Sequence, residues 1–192
     1  MKTMFRAVGG SRSGPILGRV SKPAAKTTTR QDNDPLNFEE KLVRSLASRW
    51  KRPFAWRLLK WRGIEFPTTV PFGDGLRLAH GAVGLVVHES VILGSRVKLF
   101  QGVTLGRGDQ YLYRDQLPTG GGILVGDDVI IGAGATILFR SGETTIIGDG
   151  AVIGANSVVT RSVPAGEVWA GLPAKRVGDN PNFLGREPSA AR

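Results

Sequence analysis

Apolar residues recur along the glycine-rich part of the chain at intervals of six, a period that neither an amphipathic helix nor an alternating strand shows. Glycine often follows such a residue directly, and a small or β-branched residue often lies four positions after it. Short strands joined by a corner every six residues satisfy this pattern, and stacked triangular coils of such strands form a parallel β-helix. The predicted core residues are Phe66, Phe72, Leu78, Val87, Leu93, Leu99, Leu105, Val125, Ile131, Ile137, Ile147, Ile153 and Val159.

The six-residue period is interrupted at three places, where the extra residues must leave the coil as loops. The interrupted intervals begin after Leu78, Leu105 and Ile137 and are nine, twenty and ten residues long. The longest excursion covers roughly residues 106–122. Because long loops on a rigid scaffold commonly carry function, we expect this excursion to contribute to a site.

Residues 36–62 show a helical pattern instead. A helix is expected to begin near residue 36 and to end before Pro53. After Pro53, aromatic and leucine side chains alternate with basic ones. We interpret the segment as two short helices whose aromatic side chains pack on the neighbouring domain, with an anchor at a membrane surface as the alternative. The predicted apolar face of the first helix is Phe38, Leu42, Val43, Leu46 and Trp50.

Charge separates the chain into parts. The net charge of the 192 residues is +10, of which residues 1–35 carry +5, residues 36–62 carry +6 and residues 63–192 carry −1. Residues 1–35 are rich in Gly, Ser, Thr and Pro, which predicts a disordered basic tail, with a transit peptide as the alternative. No recognition motif accompanies the charge, so nucleic acid is not an expected partner.

Composition narrows the possible chemistry. The absence of cysteine excludes disulfides, thiolate metal sites and a cysteine nucleophile, and two histidines cannot supply three imidazoles to a metal from one chain. No apolar run reaches the roughly 18 residues of a membrane span. The expected location is the cytoplasm, with peripheral membrane contact through residues 36–62. The predicted domain runs from residue 63 to 178, and residues 179–192 form a second tail.

Three stretches of the repeat carry a family resemblance: residues 76–108 with the segment QGVTLG, residues 125–137, and residues 147–177 with the ending VPAG…GLPAK. They resemble the hexapeptide-repeat acyltransferases, and among these the serine O-acetyltransferases and the serine-acetyltransferase-like O-acetyltransferases of polysaccharide gene clusters. The resemblance covers roughly residues 63–178. It implies a left-handed parallel β-helix, acetyl-CoA as co-substrate, no metal, and a homotrimer with sites between subunits.

Transfer of an acetyl group to a hydroxyl needs a base, and imidazole is the usual choice near neutral pH. His80 lies at the first interruption of the period and matches the family's catalytic histidine. The family's orienting carboxylate lies fifteen residues earlier, which places it at Glu65 here. His88 occupies a corner position usually filled by glycine, and we interpret it as structural or exposed.

The resemblance also implies a donor site. Ala133 and Ala155 match the small residues whose backbone groups contact the pantetheine arm of acetyl-CoA. Gly106 is expected beside the acetyl group, where nearby backbone N–H groups can stabilise an oxyanion. Lys175 and Arg176 are expected to bind the phosphates of CoA.

The acceptor site departs from the family's pattern. Ala79 stands where serine acetyltransferases have a substrate-contacting Asp, and Gly121 and Gly122 stand near the place of their serine-binding Arg-His pair. A charged amino acid left without these partners in a pocket is costly. We therefore predict an O-acetyltransferase acting on a sugar or glycan, with serine O-acetyltransferase as the alternative. A γ-type carbonic anhydrase and an inactive trimeric scaffold are less favoured. Candidate acceptor contacts are Arg107, Asp109, Arg114 and Asp115.

Overall fold

The computed structural model describes residues 35–46, 48–111 and 118–183. Two helices, α1 (Phe38–Ser45) and α2 (Arg52–Trp61), precede the strands. The predicted tail of residues 1–35 lies outside the described residues, apart from Pro35. The strands are β1 (Arg77–Leu78), β2 (Val86–Val87), β3 (Val91–Leu93), β4 (Lys98–Leu99), β5 (Thr104–Arg107), β6 (Gly122–Val125), β7 (Ile130–Ile131), β8 (Thr136–Phe139), β9 (Thr144–Ile147), β10 (Val152–Ile153), β11 (Val158–Val159), β12 (Glu167–Gly171) and β13 (Ala174–Asp179).

The strands form three sheets that the chain visits in turn. Sheet 1 contains β1, β4, β7, β10, β12 and β13, sheet 2 contains β2, β5, β8 and β11, and sheet 3 contains β3, β6 and β9. Neighbouring strands from β1 to β12 are parallel, and only β13 runs antiparallel, against β12. This is the triangular parallel β-helix that the period of six predicts.

The core is a set of aliphatic ladders inside the coil. Leu99 pairs with Ile131 in sheet 1, and Leu105 pairs with Ile137 in sheet 2, so inward residues of successive coils lie above one another. Every predicted core residue is buried apart from Phe72, which is half-buried. Burying one such aliphatic side chain contributes about 1.5–3 kcal/mol, so the ladders provide most of the driving force for coiling.

Glycines follow the inward residues at corners where stacked coils approach each other closely. A Cβ on Gly94 would lie 2.5 Å from the carbonyl oxygen of Gly126 in the next coil. Gly94 has no positive φ, so the requirement there is space between stacked coils. Left-handed backbone occurs at other corner positions, such as Gly134 at φ +68° and, one coil later, Asn156 at φ 53°. Asparagine tolerates this conformation better than most residues.

The two predicted short helices are present, but the predicted packing of their aromatic side chains is wrong. Leu42 and Val43 of α1 and Ala55 and Leu59 of α2 are the buried residues that pack on the core. The aromatic side chains lie on the opposite, exposed side. Pro53 lies in the first turn of α2, where its missing N–H costs no hydrogen bond.

The C-terminal boundary also differs from the prediction. Asp179 still belongs to β13, and the side chain of Asn180 is buried and donates a hydrogen bond to the carbonyl of Gly150 at 2.8 Å. The ring of Phe183 occupies the space left by the absent Cβ atoms of Gly150 and Gly166. Residues 179–183 are therefore packed on the coil, and the remainder of the predicted tail lies outside the described residues.

Candidate active site

The turns that connect sheet 1 to sheet 2 stack into one continuous edge, which we call the 1–2 edge. It consists of residues 79–85, 100–103, 132–135 and 154–157. Backbone hydrogen bonds join one turn to the next: Gly102 N–H donates to Val83, Gly134 N–H to Gln101, and Asn156 N–H to Ala133. Because each turn is tied to its neighbour, this edge is a rigid platform for side chains.

His80 lies at the start of the 1–2 edge, directly after β1. His80, Gly81 and Ala82 have φ values of 52°, 71° and 46°, three successive left-handed residues. This conformation is costly for His and Ala, and such strain persists where the surrounding structure enforces it. The exposed imidazole lies 5.7 Å from the ring of Phe100 and makes no hydrogen bond to any described residue. Both ring nitrogens are therefore available to a substrate.

Residues that the sequence interpretation missed hold this turn in place. Asn37 caps α1, and its side-chain amide donates to the carbonyl of Leu78 at 2.6 Å. Glu40 completes the capping box, and its carboxylate accepts the N–H of Leu78 at 2.8 Å. Asn37 and Glu40 thus bind both the carbonyl and the N–H of Leu78, which lies two residues before His80. The sequence contains the N-x-x-E signature of a capping box, but the contact with Leu78 is tertiary and leaves no local signal.

A second buried carboxylate lies against the same turn. Glu39 is 4% exposed, and a Cβ placed on Gly81 would lie 3.5 Å from its carboxylate. Arg62 donates a hydrogen bond to this carboxylate and balances its charge. The first turn of α1 therefore packs directly on the backbone next to His80.

Glu65 does not contact His80 in this chain. Its exposed carboxylate accepts a hydrogen bond from the ammonium group of Lys60 at the end of α2. Among the described residues, nothing joins Glu65 to the imidazole. Orientation of the His80 imidazole by Glu65 remains a prediction. It requires the Glu65 carboxylate to leave Lys60.

The predicted donor residues line the same edge as His80. Ala133 lies two coils after His80, and Ala155 one coil further, so with neighbouring strands about 4.8 Å apart the first separation is about 10 Å. The β12–β13 hairpin is tied to this edge because Gly171 N–H donates to the hydroxyl of Ser157 at 3.1 Å. Lys175 pairs with Ala170 at the end of that hairpin.

The two predicted phosphate ligands differ in their surroundings. Lys175 is exposed and has no ion pair within the described part of the chain. Arg176 donates hydrogen bonds to both carboxylate oxygens of Asp179 at 2.7 and 2.8 Å, and it lies 3.2 Å from Glu167. A phosphate can therefore bind Lys175 without displacing another group.

Gly106 lies within β5 on sheet 2 and not on the 1–2 edge. A Cβ at this position would meet nothing nearer than the side chain of Thr104 at 3.6 Å. The surface above Gly106 is therefore open.

The described acceptor candidates lie at the opposite edge of sheet 2. The guanidinium of Arg107 lies 5.8 Å from the ring centroid of Phe139, and its Nε is buried without a hydrogen-bond partner among the described residues. Arg114 and Asp115 lie outside the described residues. One chain therefore does not bring Arg107 and His80 together.

Asp109 has a structural environment at that opposite edge. Its buried carboxylate accepts the N–H of Ser141 at 2.8 Å and the hydroxyl of Ser141 at 3.2 Å. Burial alone would raise the pKa of Asp109, but the hydrogen bonds from Ser141 and from the Asp109 backbone, together with the charge of Arg107, leave the pKa below its ordinary value. Asp109 thereby fixes the base of the long loop, and acceptor contact by its carboxylate remains a prediction.

His88 has the structural environment that the sequence predicts. It is half-buried, its Nδ1 accepts the N–H of Ser90 at 3.1 Å, and its ring packs edge-on against Phe139 at 5.2 Å. Burial, and then the nearby charge of Arg107, lower the pKa of His88. The described residues contain no cluster of three or more His, Asp or Glu side chains that could hold a metal ion.

The positions of the missing serine-binding pair are closed by packing. A Cβ on Gly121 would lie 2.4 Å from the carbonyl oxygen of Glu143, and a Cβ on Gly122 would lie 2.2 Å from that of Ser90. No side chain fits at either position on this backbone. The departure from the family's acceptor pattern is therefore built into the stacking of the coils.

Comparison with known proteins gives one consistent group of relatives. The chain is 37% identical over 116 residues to serine acetyltransferase 4 of Arabidopsis thaliana, which covers 60% of this chain and 30% of that protein. It is 35% identical over 115 residues to a serine acetyltransferase of Helicobacter pylori, which covers 60% of this chain and 61% of that protein. The chain thus spans less than two thirds of the length of these relatives. No family model matches the chain.

Solved structures agree with the sequence relatives. The serine acetyltransferase of Neisseria gonorrhoeae in complex with serine matches with a TM-score of 0.55 at 32% identity, covering 73% of this chain and 54% of that one. The serine acetyltransferase of Brucella abortus strain S19 in complex with coenzyme A matches with a TM-score of 0.57 at 30% identity, over the same shares of the two chains.

The stacked triangular coils and these matches define the class: this is a left-handed parallel β-helix protein built from hexapeptide repeats. Within that class, these matches confirm the predicted resemblance to the hexapeptide-repeat acyltransferases. The relatives and solved structures described above are all serine acetyltransferases.

Proposed function

We propose that this protein is an acetyl-CoA-dependent O-acetyltransferase and that its acceptor is the hydroxyl group of serine. The observation that carries the proposal is the 1–2 edge, where an imidazole without a hydrogen bond to the described residues stands in line with the small residues Ala133 and Ala155, and to which the hairpin that carries Lys175 is joined. The relatives with bound serine and bound coenzyme A support the two substrates. Serine, the alternative acceptor in the sequence analysis, thereby replaces a sugar or glycan as the proposed acceptor.

In this proposal His80 is the general base. The imidazole accepts the proton of the acceptor hydroxyl while the hydroxyl oxygen attacks the thioester carbonyl carbon. The C–S bond then breaks, and the thiolate of CoA takes the proton back from the imidazolium. Atoms and charges balance without a covalent enzyme intermediate. Contact of the acetyl group with Gly106 remains a prediction, because Gly106 lies on sheet 2 and not on the 1–2 edge.

The donor is proposed to lie along the 1–2 edge. The half-buried Ala133 and the exposed Ala155 leave room for the pantetheine arm beside backbone groups. Lys175 is proposed to bind a phosphate group as a point charge. Arg176 is expected to contribute less, because a phosphate must compete with Asp179 for its guanidinium.

The acceptor assay tests this function and its alternative together. Two observations favour a sugar or glycan: Ala79 lacks the carboxylate that would bind an amino group, and Gly121 and Gly122 have no room for an Arg-His pair. Initial rates of CoA release should therefore be compared for serine, nucleotide sugars and oligosaccharides under identical conditions. A larger kcat/KM for serine supports the proposal, and a larger kcat/KM for a sugar replaces it with the glycan alternative.

We also propose that the protein works as a homotrimer. Ile92, Leu124 and Ile146 lie in register across β3, β6 and β9 and are 46%, 38% and 49% exposed. Such an aliphatic ladder on an outer face is typical of an interface. The separation of His80 from Arg107 within one chain further supports a site completed by a second chain.

Leu124→Glu is expected to break this assembly, because it places a charge in the centre of the exposed ladder. Light scattering coupled to gel filtration should give three chains for the unmodified protein and one for the variant. Val177→Glu is the matched control, since Val177 is 65% exposed on β13, outside sheet 3. An unmodified protein that elutes as a single chain would contradict the trimer.

The contacts between α1 and Leu78 predict an effect on turnover. Replacing Asn37 and Glu40 by Ala removes the cap and both partners of Leu78, which should lower the free energy of unfolding by about 2 kcal/mol. Because the turn carrying His80 loses its restraint, kcat should fall about tenfold, with the KM for acetyl-CoA changed less than about twofold. Lys41→Ala, at an exposed position of the same helix, should change neither. A lower melting temperature with unchanged kcat would assign α1 a purely structural role.

A further inference from the structure

The outer side of α2 and the turn before it present an unusual concentration of exposed aromatic rings. Three of the chain's four tryptophans lie there. The exposed fractions of Trp50, Phe54, Trp56 and Trp61 are 90%, 71%, 43% and 80%. Rings of this size are normally buried because they carry large apolar areas. We call these four rings, together with the exposed cations Arg49, Lys51 and Arg57, the aromatic–basic surface.

The position of α2 keeps this surface turned outward. Ala55 and Leu59, one turn apart, are each 1% exposed and attach the inner side of the helix to the core. Phe54 and Trp61 are seven residues apart, which is about two helical turns, so they share one side of the helix. Arg57 lies between them in sequence and is also exposed. The surface is therefore preformed, and a partner need not order it.

The charged side chains of α2 and the turn before it are all positive. Residues 48–62 contain six basic residues and no acidic one. Lys60 and Arg62 are engaged by Glu65 and Glu39. The three cations of the aromatic–basic surface form no ion pair with the described part of the chain. Uncompensated cations next to exposed rings indicate a partner that is both negatively charged and able to accept apolar groups.

We propose that the aromatic–basic surface binds the anionic face of a lipid bilayer, with α2 lying parallel to the membrane plane. Indole rings favour the boundary between headgroups and acyl chains, and arginine and lysine are attracted to anionic headgroups. A helix with apolar and basic groups on its outer side is typical of such interfacial binding. No helix among the described residues is long and apolar enough to cross a membrane.

The test is sedimentation of the full-length protein with lipid vesicles. Vesicles of phosphatidylcholine alone are compared with vesicles that also contain phosphatidylserine, at low and high salt. We expect binding to the anionic vesicles, a shift of tryptophan emission to shorter wavelength, and weakening of binding by salt. Equal sedimentation with both kinds of vesicle, or with neither, would overturn the proposal.

Two double variants and one control separate the contribution of the rings to vesicle binding from that of the charges. Phe54→Ser with Trp61→Ser removes the rings, and Arg49→Gln with Arg57→Gln removes two charges; each pair should weaken vesicle binding at least about tenfold. Arg140→Gln with Arg161→Gln removes two exposed cations elsewhere and should leave binding unchanged. Circular dichroism checks that each variant is folded.

Other partners give distinct results. If the ring variant binds vesicles like the unmodified protein but changes the number of chains in solution, the surface is an interface between copies and the lipid proposal is wrong. If the unmodified protein does not bind anionic vesicles but binds a single-stranded oligonucleotide through the same residues, the partner is nucleic acid and the proposal is likewise overturned.

Discussion

His80→Gln is expected to lower the turnover of acetyl-CoA by about a hundredfold to ten-thousandfold, because glutamine keeps a polar side chain of similar size but cannot take up a proton. The imidazole stands on a turn of three left-handed residues and has no hydrogen bond to the described residues, so its ring nitrogens are available for the reaction. The KM for acetyl-CoA should change little, since the donor is proposed to bind along Ala133, Ala155 and Lys175. Steady-state kinetics with saturating acceptor gives both constants.

The second histidine supplies the control for this experiment. His88 lies at the other edge of sheet 2, where its Nδ1 accepts the N–H of Ser90 and its ring packs on Phe139. His88→Gln should therefore retain turnover within about a factor of three while losing some stability. If His80→Gln keeps turnover within about tenfold of the unmodified protein, His80 is not the base.

Gly94→Ala is expected to lower the free energy of unfolding by about 3 kcal/mol, an unusually large effect for one methyl group. The added Cβ would lie 2.5 Å from the carbonyl oxygen of Gly126 and 2.6 Å from the carboxylate of Asp127, both in the next coil. The carbonyl belongs to the backbone and cannot readily turn away, because the N–H of Asp127 in the same peptide group donates to the carboxylate of Asp149 at 2.9 Å. Chemical denaturation monitored by circular dichroism measures the effect.

Gly178→Ala is the matched control, because it makes the same chemical change on strand β13 at a glycine whose Cβ would meet nothing within 4 Å. Its stability should stay within about 0.5 kcal/mol of the unmodified protein. Equal losses in the two variants would mean that the corner glycines are not required by the spacing of the coils.

The β-helix could be predicted from the sequence because its geometry repeats. Each inward position, such as Leu99 or Ile131, meets the same environment one coil later, so a single physical requirement produces a regular interval of six. Interruptions of that interval also identified the places where residues leave the coil, including the turn of His80. The stacking of Ala133 and Ala155 on the edge that begins with His80 follows from the same regularity.

The remaining features depend on tertiary contacts that leave no periodic signal. Helical spacing groups Phe38 and Trp50 with Leu42, but α1 ends at Ser45, so Trp50 lies in the following turn, and both aromatic rings are exposed. The family resemblance places the orienting carboxylate at Glu65, whereas in the structure the end of α2 places Lys60 beside that carboxylate. The contacts of Asn37 and Glu40 with Leu78 join residues about forty positions apart.

The central claim is that this chain transfers an acetyl group from acetyl-CoA to a hydroxyl group of serine. The most direct measurement incubates the full-length protein with acetyl-CoA and serine, and quantifies free CoA by its thiol and O-acetylserine by mass spectrometry. We expect the two products to accumulate in equal amounts, neither to form without serine, and His80→Gln to form almost none. Release of CoA without O-acetylserine, or no release of CoA in the presence of serine, would contradict it.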